Sequence, residues 1–189
     1  VAPEGVDLKL FAPSKEYNRP LALLPLANKE FLFYPAQIWK HKNHALLFDA
    51  LSKFRNVMGF EFPCILTGAD CVGYWSELDD LRRFYQLSEV LYLGKVEFND
   101  LLWLYTNCSA VLALGLHESS SLPVREGAAF GKPLICSNII PNIESSSTLN
   151  LTLFNHSSSA DLSQLLINHY VDPNDLSTFA SKNLSKVTL

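Results

Sequence analysis

Residues 117–138 read HESSSLPVREGAAFGKPLICSN, and this stretch decides the fold. An apolar run, AVLAL at residues 110–114, comes just before it, and the stretch itself ends in a second, PLIC at residues 133–136. Both have the length and composition of buried strands. Between them the sequence predicts a small polar turn followed by a short helix. Pro123 falls in the first turn of that helix, where a missing N–H breaks no hydrogen bond. Gly131 stands where a left-handed residue would close it. The unit is strand, turn, helix, strand, with Glu118 at the mouth of the turn and Glu126 about two helical turns further on. In parallel α/β sheets ligands bind at that mouth, because the free N–H groups of the helix start attract anions. Two carboxylates beside an anion site call for a ligand carrying both hydroxyls and phosphates, and a sugar nucleotide carries both.

The alternation extends along the rest of the chain. Residues 31–35 (FLFYP) form a strand that Pro35 ends. From Asn43 the period becomes helical: Leu47, Ala50, Leu51, Phe54 and Met58 share one face, with Asp49, Ser52, Lys53 and Asn56 on the wet side. A second strand is expected over residues 62–68, and the turn from Gly68 to Asp70 at its end faces the same crevice. A charged helix follows over 77–87, then a strand over 89–94. The next helix carries an apolar stripe of Phe98, Leu101, Leu102 and Tyr105. Beyond Pro141 a loop runs through the serines at 145–147. A short strand at 151–154 and helices near 160–170 and 173–186 complete the chain. Strand and helix in strict turn predict a Rossmann-like, doubly wound parallel sheet with helices on both faces.

A chain of 189 residues suits one domain with a proper core. Its net charge of −4 argues against a nucleic-acid partner. The cysteines at 64, 71, 108 and 136 lack metal-type pairing, and three lie in or beside apolar runs, as expected of buried reduced thiols. No apolar run approaches bilayer length and no signal-peptide pattern is present, so a cytoplasmic location is expected.

Glu118, seven residues, Glu126 and then GAAFGKPLICSN resemble the Glu-x7-Glu signature of the retaining glycosyltransferases of family 4, the group 1 transferases. Two further segments match in the family's order. FYPAQIWKHKNH at 33–44 resembles the place where a strand ends and a lysine meets the donor diphosphate, and LGKVEFNDLLWLY at 93–105 resembles the strand and helix before the signature. The likeness spans residues 1–175 and implies one lobe of a two-lobed GT-B fold. VAPEGVD at 1–7 is similar to the segment that precedes the second lobe. Residues 1–30 are therefore expected to be an interlobe linker or a loop draped on the domain. Residues 31–189 are expected to be the nucleotide-sugar-binding domain, with the acceptor lobe outside this chain.

The resemblance also implies roles. Glu118 would face the donor hexose near its reacting carbon, Lys42 the diphosphate, and Glu126 the ribose hydroxyls. Ser119, Ser120, Ser121 and Leu122 would form the phosphate turn, where the family commonly has glycines; serines keep the backbone donors but narrow the approach. Gly94 and Val96 would line the base pocket. Gln37 stands where the family usually carries arginine, and a neutral amide brings neither charge nor a bidentate fork. Plainer readings stand beside these: Glu118 as an acid at a helix start, Glu126 as a surface helix residue, Lys40, His41 and His44 as exposed neighbours, and His117 as a hydrogen-bonding neighbour or an idle one. The implied function is the donor half of a retaining, metal-independent hexosyltransferase that needs no cofactor beyond its donor substrate. The donor would be a GDP- or UDP-hexose and the acceptor a glycan or lipid-linked glycan. The setting would be bacterial polysaccharide synthesis, with peripheral membrane association through the other lobe. The alternative is a degenerate, non-catalytic nucleotide-sugar-binding or interaction module. A receiver-like signalling domain is disfavoured by the lack of an acidic cluster after the first strand.

Overall fold

The computed structural model describes residues 11, 17–20, 29–173 and 182–183. Among the described residues six strands are present: β1 Leu32–Pro35, β2 Cys64–Thr67, β3 Val90–Tyr92, β4 Ala110–Ala113, β5 Leu134–Ser137 and β6 Thr152–Phe154. Helices α1 His44–Met58, α2 Trp75–Phe84, α3 Phe98–Asn107, α4 Leu122–Ala129, α5 Ile140–Ser145 and α6 Ser159–Val171 connect and flank them. Every strand pairing is parallel, in the order β3-β2-β1-β4-β5-β6. This is the Rossmann-like α/β architecture that the sequence predicts.

The strands are mostly apolar because both faces of the sheet are covered, and the polar Thr67 and Ser137 stand at the carboxyl ends of β2 and β5. Successive side chains point to opposite faces. Leu32 and Tyr34 of β1, Leu112 of β4 and Ile135 of β5 pack with Leu47, Leu51 and Phe54 of α1, Leu78 of α2, and Leu162 and Leu166 of α6. Phe33, Val111, Ala113 and Cys136 pack on the other face with Leu102 and Tyr105 of α3 and with Val124 and Ala128 of α4. α4 lies so close to the sheet that a Cβ on Gly127 would come within 2.6 Å of Leu134 Cδ2 and 3.1 Å of Val111 Cγ2.

Strand order also positions the site. From β1 the chain proceeds outward through β2 and β3, then returns to place β4 on the other side of β1. The loops that follow β1 and β4 therefore diverge, and a crevice opens between them at the carboxyl edge of the sheet.

Several local expectations are corrected. His44 is fully buried. As the first residue of α1 it turns under the loop after β1, and its ring packs 4.9 Å from that of Tyr34. Ser52 is buried too, only 8% exposed, because α1 is covered on a wider arc than its apolar stripe suggests. On α3 the buried residues are Leu102, Trp103, Leu104 and Tyr105, while Phe98 is 43% exposed. Trp103 is drawn in by stacking on Phe31 at 5.9 Å. α2 starts at Trp75, earlier than expected, because the Asp70 carboxylate accepts the N–H groups of Tyr74 and Trp75. α5 forms where a loop is expected; Pro141 sits in its first turn, and its Asn142 side chain is buried.

Cys64, Cys108 and Cys136 are buried and Cys71 is exposed, all of them unpaired. Burial raises the buried thiols, that of Cys108 to about 12. The segment at 1–7 and most of the expected linker and last helix lie outside the described residues. Of the described part, Phe11 meets Phe98, Tyr105 and Phe130 edge-on, and Arg19 lies 5.4 Å over the ring of Trp103. No described helix is long and apolar enough to cross a membrane.

Candidate functional site

The first wall of the crevice is the loop after β1. Its backbone stays extended for a few residues, with Ala36 N–H bonded to Thr67 O and Ile38 N–H to Ala69 O, each at 2.9 Å. Gly68 makes that approach possible, since a Cβ there would lie 2.3 Å from Ala36 O. A single 3₁₀ turn at Lys40–Lys42 follows, and Asn43 at φ 61° reverses the chain into α1. The buried Tyr34 O–H donates to Lys42 O, which anchors this turn to the sheet beneath it.

The second wall is the loop after β4. Ser137 Oγ donates to Gly115 O at 2.6 Å, and Asn142 Nδ2 donates to Ser137 O at 2.9 Å, so β5 and α5 hold the loop from behind. Leu116 N–H donates to His41 O at 2.8 Å and ties the two walls together. Above that bond the rings of His41 and His117 stack at 4.6 Å and 26°. His41 is thus a partner of His117 and not an exposed bystander. Burial first, then the charges of Lys42 and His117, hold it below the usual imidazole range.

Between the walls Lys42 Nζ donates to Glu118 Oε1 at 2.6 Å, with the two side chains 21% and 16% exposed. The carboxylate lies directly over Gly115, where a Cβ would stand 2.4 Å from Oε1. The N-cap of α4 is Ser121, and no side-chain hydrogen bond caps it, so Glu118 does not serve as the helix cap. Glu126 points from α4 into the same crevice. Tyr105 O–H donates to its Oε2 at 2.5 Å. Burial raises the Glu126 carboxyl above its ordinary value, and the Tyr105 hydrogen bond opposes the rise.

Gln37, Lys42, Glu118, Ser119, Ser120, Leu122 and Glu126 all line this one cleft of about 660 Å³, together with Trp39 and His41. Lys42 is the only lysine or arginine among its described lining residues. Lys40 is turned away, 3.9 Å from Glu77 and over the ring of Tyr74. Ser121, Gly94 and Val96 are not part of the lining. Gly94, at φ 67°, accepts the Gly68 N–H at the carboxyl edge of β3, and Val96 packs toward the α3 side of the core. Sequence reasoning missed Trp39, whose indole N–H donates to Gln37 Oε1 at 2.6 Å, and it missed the supporting roles of Gly115, Tyr105, Ser137 and Asn142. Only Tyr105 carried a usable signal, since a tyrosine on a buried stripe needs a partner for its hydroxyl.

The profile of the family described as "Glycosyl transferases group 1" matches residues 22–182. The chain belongs to the group 1 glycosyl transferases. Among curated proteins, none matches the sequence. Its fold is that of solved GT-B lobes. It is similar to HepE of Anabaena, solved with UDP and glucose, at 21% identity over 97% of this chain and 50% of that one, with a TM-score of 0.82. Sucrose-phosphate synthase of Thermosynechococcus elongatus is similar at 19% identity over 97% and 46%, TM-score 0.78. The C-terminal domain of the group 1 protein LpcC of Francisella tularensis matches at 19% identity over 97% of each chain, TM-score 0.78. This transferase lobe thus spans about half the length of HepE and of the synthase.

Proposed function

We propose that this group 1 transferase lobe binds a nucleoside-diphosphate hexose and, paired with an acceptor-binding lobe, supports hexose transfer with retention. The observation that carries the reading is the convergence of Lys42, Glu118 and Glu126, from three separate segments, on one cleft at the switch point of the sheet. The solved complexes of the similar HepE with UDP and with UDP-glucose support a uridine donor.

As the bond from the sugar to the diphosphate breaks, its electron pair and negative charge pass to the phosphate oxygens. Lys42 and the N–H groups at the start of α4 are placed to stabilise that charge. No divalent ion is invoked. Glu118 would accept hydroxyls of the hexose and stabilise positive charge developing at its reacting carbon. Glu126 would accept the ribose hydroxyls. We place the reaction in bacterial polysaccharide synthesis at the cytoplasmic face of the membrane, with a glycan or lipid-linked acceptor. A non-catalytic nucleotide-sugar-binding module is the second reading; neutral Gln37 at the phosphate wall favours it.

Calorimetric titration of UDP, GDP, ADP and their hexose derivatives tests the binding claim. A carboxylate–hydroxyl pair contributes about 1.5–3 kcal/mol, so Glu126→Ala should weaken the preferred nucleotide by roughly ten- to a hundred-fold. Absence of binding by every nucleotide at millimolar concentration would remove both readings. Binding without any hexose transfer by the protein joined to its acceptor lobe would leave the second.

A further inference from the structure

We propose that Tyr105 is a positioning residue for the nucleotide: its phenol O–H fixes Oε2 of Glu126 and leaves Oε1 to a ligand hydroxyl in the cleft. The ligand half of this statement rests on the function proposed above. Tyr105 itself lies outside the cleft. It is fully buried on α3, its ring stacks on Phe130 at 5.6 Å and 8°, and it meets Phe33 edge-on at 5.0 Å and 80°. Rings on both sides leave it little freedom, so the hydroxyl is aimed by packing. A phenylalanine would fill the same apolar space, so packing alone does not require the hydroxyl.

The acceptor is equally informative. A buried hydroxyl needs a partner, but a backbone carbonyl would satisfy it, as Gly68 O does for Tyr92 and Lys42 O for Tyr34. Here the partner is a carboxylate that also lines the cleft. Burial favours the protonated form of such a group, and a donor hydrogen bond favours the ionised one. Both influences act on Glu126. An ionised carboxylate only accepts, which suits a vicinal diol; a protonated one offers a donor in place of one acceptor. The Tyr105 hydroxyl therefore both orients the group and keeps it in the state that the ligand needs.

The test is Tyr105→Phe, read by carboxyl-carbon NMR titration of Glu126 and by UDP titration at pH 6 and pH 8. Glu126→Gln identifies the resonance. Loss of that donor should raise the Glu126 midpoint further. UDP affinity should fall several-fold, and further at pH 6 than at pH 8. In a Glu126→Gln background the same Tyr105 change should add no pH dependence, because nothing remains there to titrate. An unchanged midpoint would overturn the proposal, and so would an equal loss of affinity at both pH values, which is the mark of a merely structural role. Failure of the wild-type chain to bind UDP, with the midpoint still moving in Tyr105→Phe, would overturn the uridine assignment and leave the Tyr105–Glu126 coupling standing.

Discussion

Exchanging Lys42 for Met and Glu118 for Gln, singly and together, should expose an interaction that holds the cleft in its present shape. The charged atoms are 2.6 Å apart. Across that distance an effective dielectric near 20 gives a gross attraction of about 6 kcal/mol. The net value is much smaller, because both groups give up most of their water and each side chain keeps roughly a fifth of its exposure. A coupling of about 1–2 kcal/mol in urea unfolding is expected for a pair at this depth. Each single variant should lose more than the coupling, since it leaves one charge half-buried without its partner. For a chain of this size the shift in thermal midpoint is about 2–4 °C per kcal/mol. Nucleotide binding supplies the second readout. On the proposed binding mode Glu118 would compete with phosphate for Lys42, so Glu118→Gln should bind UDP at least as tightly as wild type. Lys42→Met should bind UDP ten-fold or more weakly, the loss of one charge-assisted hydrogen bond of about 1.5–3 kcal/mol. A coupling below about 0.5 kcal/mol would show that the two groups are neighbours without an energetic link. Equal weakening of UDP by both variants would refute the competition.

Two glycines should separate folding from binding. A methyl on Gly68 would meet the backbone of Ala36 at φ 131°, so Gly68→Ala should lower the unfolding free energy by about 3 kcal/mol or more in urea titration. The three atoms nearest a methyl on Gly115 all belong to the Glu118 side chain, so Gly115→Ala should cost under about 1.5 kcal/mol yet change UDP-hexose affinity measured by calorimetry. His44 should make the protein acid-sensitive. Burial, then the Lys42 charge, lowers its imidazole from 6.5 to about 3, so the folded state favours the neutral ring. The stability this contributes is complete above pH 6.5 and is lost as pH falls toward 3, amounting to about 2.5 kcal/mol between pH 7 and 4.5. Both ring nitrogens lack a hydrogen-bond partner, so His44→Leu should fold well and show a flatter urea midpoint across that range. An unchanged slope would refute the assignment.

Local pattern in the sequence was enough for the strands, the major helices and the class of fold. Runs such as AVLAL and LIC are apolar at every position only if both faces are covered, and the three- and four-residue steps of α1 and α3 demand helices. The spacing of Glu118 and Glu126 about one proline-started helix placed both carboxylates at the same mouth, and the resemblance of residues 33–44 to the family's diphosphate segment pointed to Lys42. Tertiary structure decided which loops face each other. Lys42 and Glu118 are 76 residues apart and meet only because β4 returns to lie beside β1. No local periodicity records strand order, since a buried strand reads the same at any interior position of a sheet. The burial of His44, the hidden Tyr105 beneath Glu126 and the clearance over Gly115 were likewise settled by what packs above and below each residue. Those neighbours come from distant parts of the chain.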